Sequence, residues 1–174
     1  MKIGITAGHG ANDPGAVSGG FYEANFCADM RNYVAYYLRK YGLDVVTDGA
    51  GSTNAPLKEA IKIAKECNLA IEFHLNAAES MQAHGVEVLC SEKHKTLAQS
   101  IAKAITSVTE SKLRGDKGWR PENAGQHQRL GYVQAGGLIV ELEFVTHKRL
   151  MNTLNDKRWV VAKAIAEAIF NSIK

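Results

Sequence analysis

Cysteine is scarce, and what there is lies scattered. Cys27, Cys67 and Cys90 are the three in 174 residues. An odd number with no CxxC pair excludes a disulfide framework and a thiolate metal site. Each falls in a segment that reads as helix or strand, so they are expected to be small core residues. Long apolar runs are also missing, which excludes a membrane-spanning helix. Charge of one sign is lacking too: the formal net charge is +3, too small for a nucleic-acid footprint. There is no internal repeat, low-complexity tract or interdomain linker. Met1 to Thr6 runs straight into the first motif with no room for a signal peptide, so the chain is expected to be made in a cytosol.

What remains is an ordinary soluble composition, 45% hydrophobic and 22% charged, at a length that supports one substantial core. Ile3 to Ala7 reads as a buried strand, followed by a glycine-rich stretch over 8–20. Phe26, Met30, Tyr33, Tyr37 and Tyr41 recur at helical spacing, predicting a helix over 22–41 that Gly42 stops. Further strands are expected at 43–47, 69–74, 85–90 and 138–145. Helices are expected from Pro56 to about Glu66, over 93–111, and over 157–173. Strands alternating with helices predict a single α/β domain over 1–174. Its five- to six-stranded sheet should be mostly parallel or mixed, with helices on both faces. The stretch 113–135 lacks periodicity and carries Arg114, Lys117, Trp119, Arg120 and Arg129. A connection that long is more often functional than idle.

Three residues have the chemistry of metal ligands in separate local settings. His9 follows the first strand between two glycines, His74 ends the apolar run LAIEFH, and Glu23 opens the first long helix. In open α/β sheets, sites gather at the carboxyl ends of strands, which places both histidines at one sheet edge. Alone, each is more often a structural imidazole, and a carboxylate in a first helical turn is favoured by the helix dipole in any case. Together, two imidazoles and a carboxylate leave one position of a tetrahedral zinc open, as a catalytic site requires. In LIVELEFV (138–145), Glu141 and Glu143 interrupt an apolar strand and alternate onto one face. Burying such carboxylates is costly unless they are paired or bound to a cation, so at least one should look into the site as a general base. Glu72 shares the His74 face and is a candidate partner for a ligand histidine. His84, His94 and His127 read as loop or surface residues. Trp119 could stack on a sugar or pin its loop, and the basic residues around it would suit a peptide carboxylate.

Taken in order, GHGANDPGA, Glu23, FHLNA (73–77), GVEVL (85–89), RGDKG (114–118) and VELEFVTH (140–147) resemble the zinc-dependent N-acetylmuramoyl-L-alanine amidases. The likeness is to the amidase-3 type of bacterial autolysins and phage endolysins, and it spans nearly the whole chain. It implies one zinc ion on His9, Glu23 and His74, with Glu141 as the catalytic glutamate. Asn76 lies near the ligand histidine and, with Glu72, Glu143 and Arg114, is a candidate for substrate contact or ligand support. The implied reaction is hydrolysis of the amide between N-acetylmuramic acid and L-alanine in peptidoglycan. No nucleic acid, membrane insertion or separate wall-binding domain is expected, and a phage-type lysin would reach the wall after holin-type release. The chain departs from the family pattern at Glu143, where glycine is usual, and at His147, where asparagine is common. LKEAIKIAKEC also lacks the arginine often found there, and the link after RGDKG is longer than usual. Alternatives are another zinc peptidase or amidase acting on wall peptides, or a catalytically silent wall-binding domain.

Overall fold

The computed structural model describes residues 1–10, 12–122 and 130–174; His127 and Arg129 lie outside the described residues. Strand β1 (Lys2–Ala7) leads through a small hairpin, β2 (Val17–Ser18) and β3 (Phe21–Tyr22), into helix α1 (Glu23–Lys40). Then come β4 (Asp44–Thr47), α2 (Leu57–Glu66), β5 (Leu69–Asn76), β6 (Glu87–Leu89) and α3 (Lys95–Thr109). The chain finishes with β7 (Trp119–Arg120), α4 (Gly131–Gln134), β8 (Leu138–Phe144), α5 (Lys148–Asp156) and α6 (Arg158–Ser172). The main sheet has six strands in the order β4-β1-β5-β8-β6-β7. Among the described residues of this sheet, only the β6–β8 pairing is antiparallel, so the sheet is mixed and mostly parallel.

The two faces differ in a way that positions the site. Side chains alternate along a strand, and Ile71, Phe73, Leu138, Val140 and Leu142 line a dry face under α1, α3 and α6. The other face is covered by the smaller layer of α2 and α4, around Ala60, Ala64, Ala70, Leu89, Tyr132 and Ile139. Beyond that cover, the same face presents Glu72, His74, Glu87 and Glu141. The chain leaves β1 through α1 to β4 on one side, and leaves β5 for β6 on the other, beyond the place that β8 later fills. Adjacent parallel strands whose connections diverge open a crevice at their carboxyl ends, and both histidines sit there.

The buried stripe of α1 is not centred on its tyrosines. Cys27, Met30, Val34 and Leu38 are wholly buried, while Tyr33, Tyr37 and Tyr41 pack at the margin; tyrosine keeps its hydroxyl near water. Helix α5 was not expected. It is short, and His147 caps it by accepting from the Leu150 N–H at 3.4 Å. The aperiodic 113–135 stretch contributes the edge strand β7 and the single turn α4, both too short to leave a periodic signal.

Candidate metal centre

His9 is delivered by β1 and held in an unfavourable backbone. Its φ is +62°, a left-handed conformation that costs a residue with a Cβ about 1–3 kcal/mol and persists only where its surroundings enforce it. The enforcement comes from Asn54, whose side-chain amide donates to the carbonyls of Ala7 and His9, the latter at 2.6 Å. Behind Asn54 lies Arg31, fully buried. It donates to Asn54 Oδ1 at 2.7 Å, to the Gly51 carbonyl at 2.9 Å and to Asp48 Oδ1 at 3.3 Å. Asp48 also accepts from the Ala7 N–H at 3.3 Å. Burial pushes the Asp48 carboxyl up to about 6, with Arg31 opposing.

Glu23, at the first turn of α1, reaches over the end of β5. Its Oε1 accepts from the Leu75 N–H at 2.9 Å and faces His74 Nδ1 at 3.0 Å. Its Oε2 accepts from the Ala16 N–H at 2.8 Å and faces His9 Nε2 at 3.2 Å. The remaining ring nitrogens also meet carboxylates: His9 Nδ1 lies 2.8 Å from Asp13, and His74 Nε2 lies 3.1 Å from Glu72. Glu72 is steadied by the Thr6 hydroxyl at 3.1 Å, itself 2.9 Å from the Tyr132 hydroxyl. Burial alone would raise the Glu23 carboxyl, but the hydrogen bonds from His74 and His9 prevail and hold it well below the carboxylate range. Burial opposes charge on His74, yet Glu23 and Glu72 raise its pKa well above the ordinary value. His9 is raised too, chiefly by Glu23 and against its partial burial.

The donor set fits a divalent ion of the zinc class. Ligand atoms of His9, Glu23 and His74 lie within 4.8 Å of one another, and two imidazoles with one carboxylate is a catalytic zinc combination. A carboxylate behind each ring is the usual support for such ligands. The cradle is cut to these side chains. A Cβ on Gly8 would fall 2.1 Å from His74 Cε1, and one on Gly15 would fall 2.7 Å from both Glu23 Oε2 and His9 Cδ2. A cleft of about 590 Å³ runs from His9, Glu72 and His74 along Pro56, Leu57, Leu130 and Tyr132.

Glu141 is the register partner of His74 on the neighbouring strand. It is 6% exposed and its Oε2 has no hydrogen-bond partner among the described residues. Burial pushes its carboxyl up to about 7, His74 opposing and the Glu23 and Glu87 charges adding. A model of the N-acetylmuramoyl-L-alanine amidase family matches residues 3–171. The chain belongs to this family.

Solved amidase structures superpose closely. One is a Neisseria meningitidis protein assigned as an N-acetylmuramoyl-L-alanine amidase, 45% identical, covering 99% of this chain and 95% of its own at a TM-score of 0.92. Another is the catalytic domain of CwlV, an amidase from Bacillus (Paenibacillus) polymyxa, 26% identical, covering 99% and 98% at a TM-score of 0.84. A Staphylococcus aureus protein assigned as autolysin PH is 28% identical over 97% of this chain. The chain spans 38% of the length of that autolysin.

The other expected residues fall around this candidate centre in distinct settings. Between the partners of His74 and Asn76 the β5–β8 register slips, interrupting the alternation that would align Glu143 with Glu141. The Glu143 carboxylate accepts from the Gly85 N–H at 2.7 Å, the Phe144 N–H at 2.9 Å and the Ser111 hydroxyl. Asn76 donates to Glu87 Oε1 at 3.1 Å, and Arg114 donates to Glu87 Oε2 from Nε at 2.7 Å. Sequence reading passed over Glu87, although a carboxylate inside VEVL carries the same signal as those inside VELEF. Trp119 pins its loop, its indole N–H donating to the Cys90 carbonyl at 3.1 Å. His84 stacks edge-on against His147 at 5.2 Å.

Proposed function

We propose that this chain hydrolyses the amide between N-acetylmuramic acid and L-alanine in peptidoglycan, with one zinc ion on His9, Glu23 and His74. The observation that carries the reading is the convergence of those three ligands beside a buried glutamate with an unpartnered oxygen. Family membership supplies the substrate class, and the cell wall is then where the protein acts. No described helix is long and apolar enough to cross a membrane.

Zinc in this site supplies Lewis acidity towards the scissile carbonyl and brings the pKa of a water to about 7. The protein does the rest. Asp13 and Glu72 fix the two imidazole orientations, and Asn54 holds the His9 turn. Glu141 is the proton carrier: its free Oε2 takes the proton of the attacking water and returns it to the alanine nitrogen as the C–N bond breaks. Glu143, with three donors already on its carboxylate, is left to structure.

The test combines elemental analysis of the purified protein with mass analysis of digested peptidoglycan, before and after chelation. Zinc near one equivalent is expected, together with intact stem peptides bearing a free L-alanine amino group. Both should disappear with chelator and return with added zinc. Cleavage inside the stem peptide would identify a peptidase instead, and wall binding with no new amino groups a silent domain.

A further inference from the structure

Beside the metal centre, on the β6–β7 side, two arginines share one buried carboxylate. Glu87 is the register partner of Glu141 across the antiparallel pair, and its side chain is 3% exposed. Its Oε2 takes the Nε groups of both Arg114, at 2.7 Å, and Arg120, at 3.2 Å. Bonding through Nε leaves the terminal nitrogens of each fork for other partners. One Arg114 nitrogen has only a long contact, 3.4 Å, to the His84 carbonyl. The side chains remain 27% and 30% exposed.

The pair is built in rather than splayed over a surface. A Cβ on Gly85 would fall 2.6 Å from Arg114 Cγ, and one on Gly115 would fall 2.7 Å from Arg120 Cγ. Each arginine therefore lies across a glycine with no room for a side chain beneath it. The Arg114 guanidinium also rests on the Phe144 ring at 4.8 Å, and Glu87 is fixed from its other oxygen by Asn76. Two guanidiniums against one carboxylate leave the Arg114–Glu87–Arg120 cluster with one excess positive charge, in the planar fork geometry that suits a second carboxylate.

We infer that Arg114 and Arg120, seated on Glu87, form a subsite for a free carboxylate of the stem peptide, favouring acidic over amidated substrates. This rests on the amidase reading above. It also fixes which way the substrate lies. The lactyl carboxyl of the muramoyl group is consumed in the scissile amide, so free carboxylates lie only on the peptide side. The peptide then runs towards β6 and β7, and the glycan runs the opposite way.

The experiment compares hydrolysis of N-acetylmuramoyl-L-alanyl-D-glutamate with hydrolysis of its diamide, which lacks only the free carboxylates. The wild type is expected to favour the acid in kcat/KM by roughly tenfold or more, with the ratio shrinking as salt is raised. Arg120→Gln leaves Arg114 on Glu87 and should cut that ratio by about threefold or more, with Arg120→Lys restoring part of it. In Arg114→Gln/Arg120→Gln the ratio should fall to about one. Thermal unfolding of each variant reports whether the fold is kept. Equal rates on both substrates by the wild type, or an unchanged ratio in a folded variant lacking both arginines, overturns the subsite. A wild type that cleaves neither substrate overturns the amidase reading itself and the subsite with it.

Discussion

Asn54 donates from its side-chain amide to the carbonyl of His9 at 2.6 Å, and His9 occupies a left-handed backbone conformation with φ of +62°. The strained turn that aims one ligand imidazole is thus held by a residue 45 positions away. Asn54 is in turn held by the buried Arg31.

Asn54→Ala removes that clamp and leaves the Ala7 and His9 carbonyls and an Arg31 N–H short of a partner. Stability should fall by about 1–3 kcal/mol, the cost of an unsatisfied buried polar group. Zinc affinity should fall about 10–100-fold, as when an outer support of a metal ligand is lost. Denaturant titration reads the first and competition with a chromophoric chelator reads the second. Unaltered affinity in the folded variant would mean that the His9 turn holds itself.

Gly8→Ala tests the same cradle from the other side. The added Cβ would lie 2.1 Å from His74 Cε1 and 2.4 Å from Nε2, so the imidazole must leave its place between Glu23 and Glu72. Overpacking of this kind costs about 1–3 kcal/mol. Here the larger effect should be on metal binding, seen as zinc content after gel filtration well below that of the wild type.

The two carboxylates of β8 should separate in opposite directions. Glu141→Gln removes a buried carboxyl with an unpartnered oxygen, so it should keep the fold and the zinc while lowering turnover by about 10²–10⁴-fold. Glu143→Ala strips the acceptor from Gly85, Phe144 and Ser111, at about 1–3 kcal/mol for each donor left unsatisfied. Its midpoint in denaturant should drop most among the variants described. Full cleavage of peptidoglycan by Glu141→Gln would falsify its assigned role.

These contrasts mark where sequence reading succeeds. The convergence of His9, Glu23 and His74 was legible because each sits at a feature with a local signature: a strand end, a helix start, an apolar run closed by a polar residue. The sheet was legible from alternation and helical spacing. Asn54, Arg31 and Asp48 were not, because nothing local distinguishes a loop asparagine or a helical arginine that will be buried. Their roles exist only once β1, α1 and the loop after β4 pack together. Glu143 looked equivalent to Glu141 because strict alternation was assumed, and the register slip beside His74 breaks it. Arg120 was visible as a basic residue, but its shared hold on Glu87 depends on β6 and β7 pairing Val88 with Trp119 and Leu89 with Arg120, far apart along the chain.

The protonation of the metal-free cluster gives opposite pH trends with and without zinc. His9 and His74 have folded pKa values raised above the ordinary 6.5. Their contribution is therefore fully present below 6.5 and is lost as pH rises through the raised values. Glu23 is depressed from 4.5, so its contribution is present above 4.5 and is lost as pH falls towards the depressed value. In the metal-free protein this cluster should thus stabilise most between pH 4.5 and 6.5 and less on either side. Zinc needs both imidazoles unprotonated, so its binding releases protons and strengthens as pH rises. The gap between thermal midpoints with zinc and with chelator should therefore widen steadily from about pH 5 to about pH 9. Midpoints that move in parallel across that range would mean that the histidines are not what the ion displaces protons from, and that the ligands lie elsewhere.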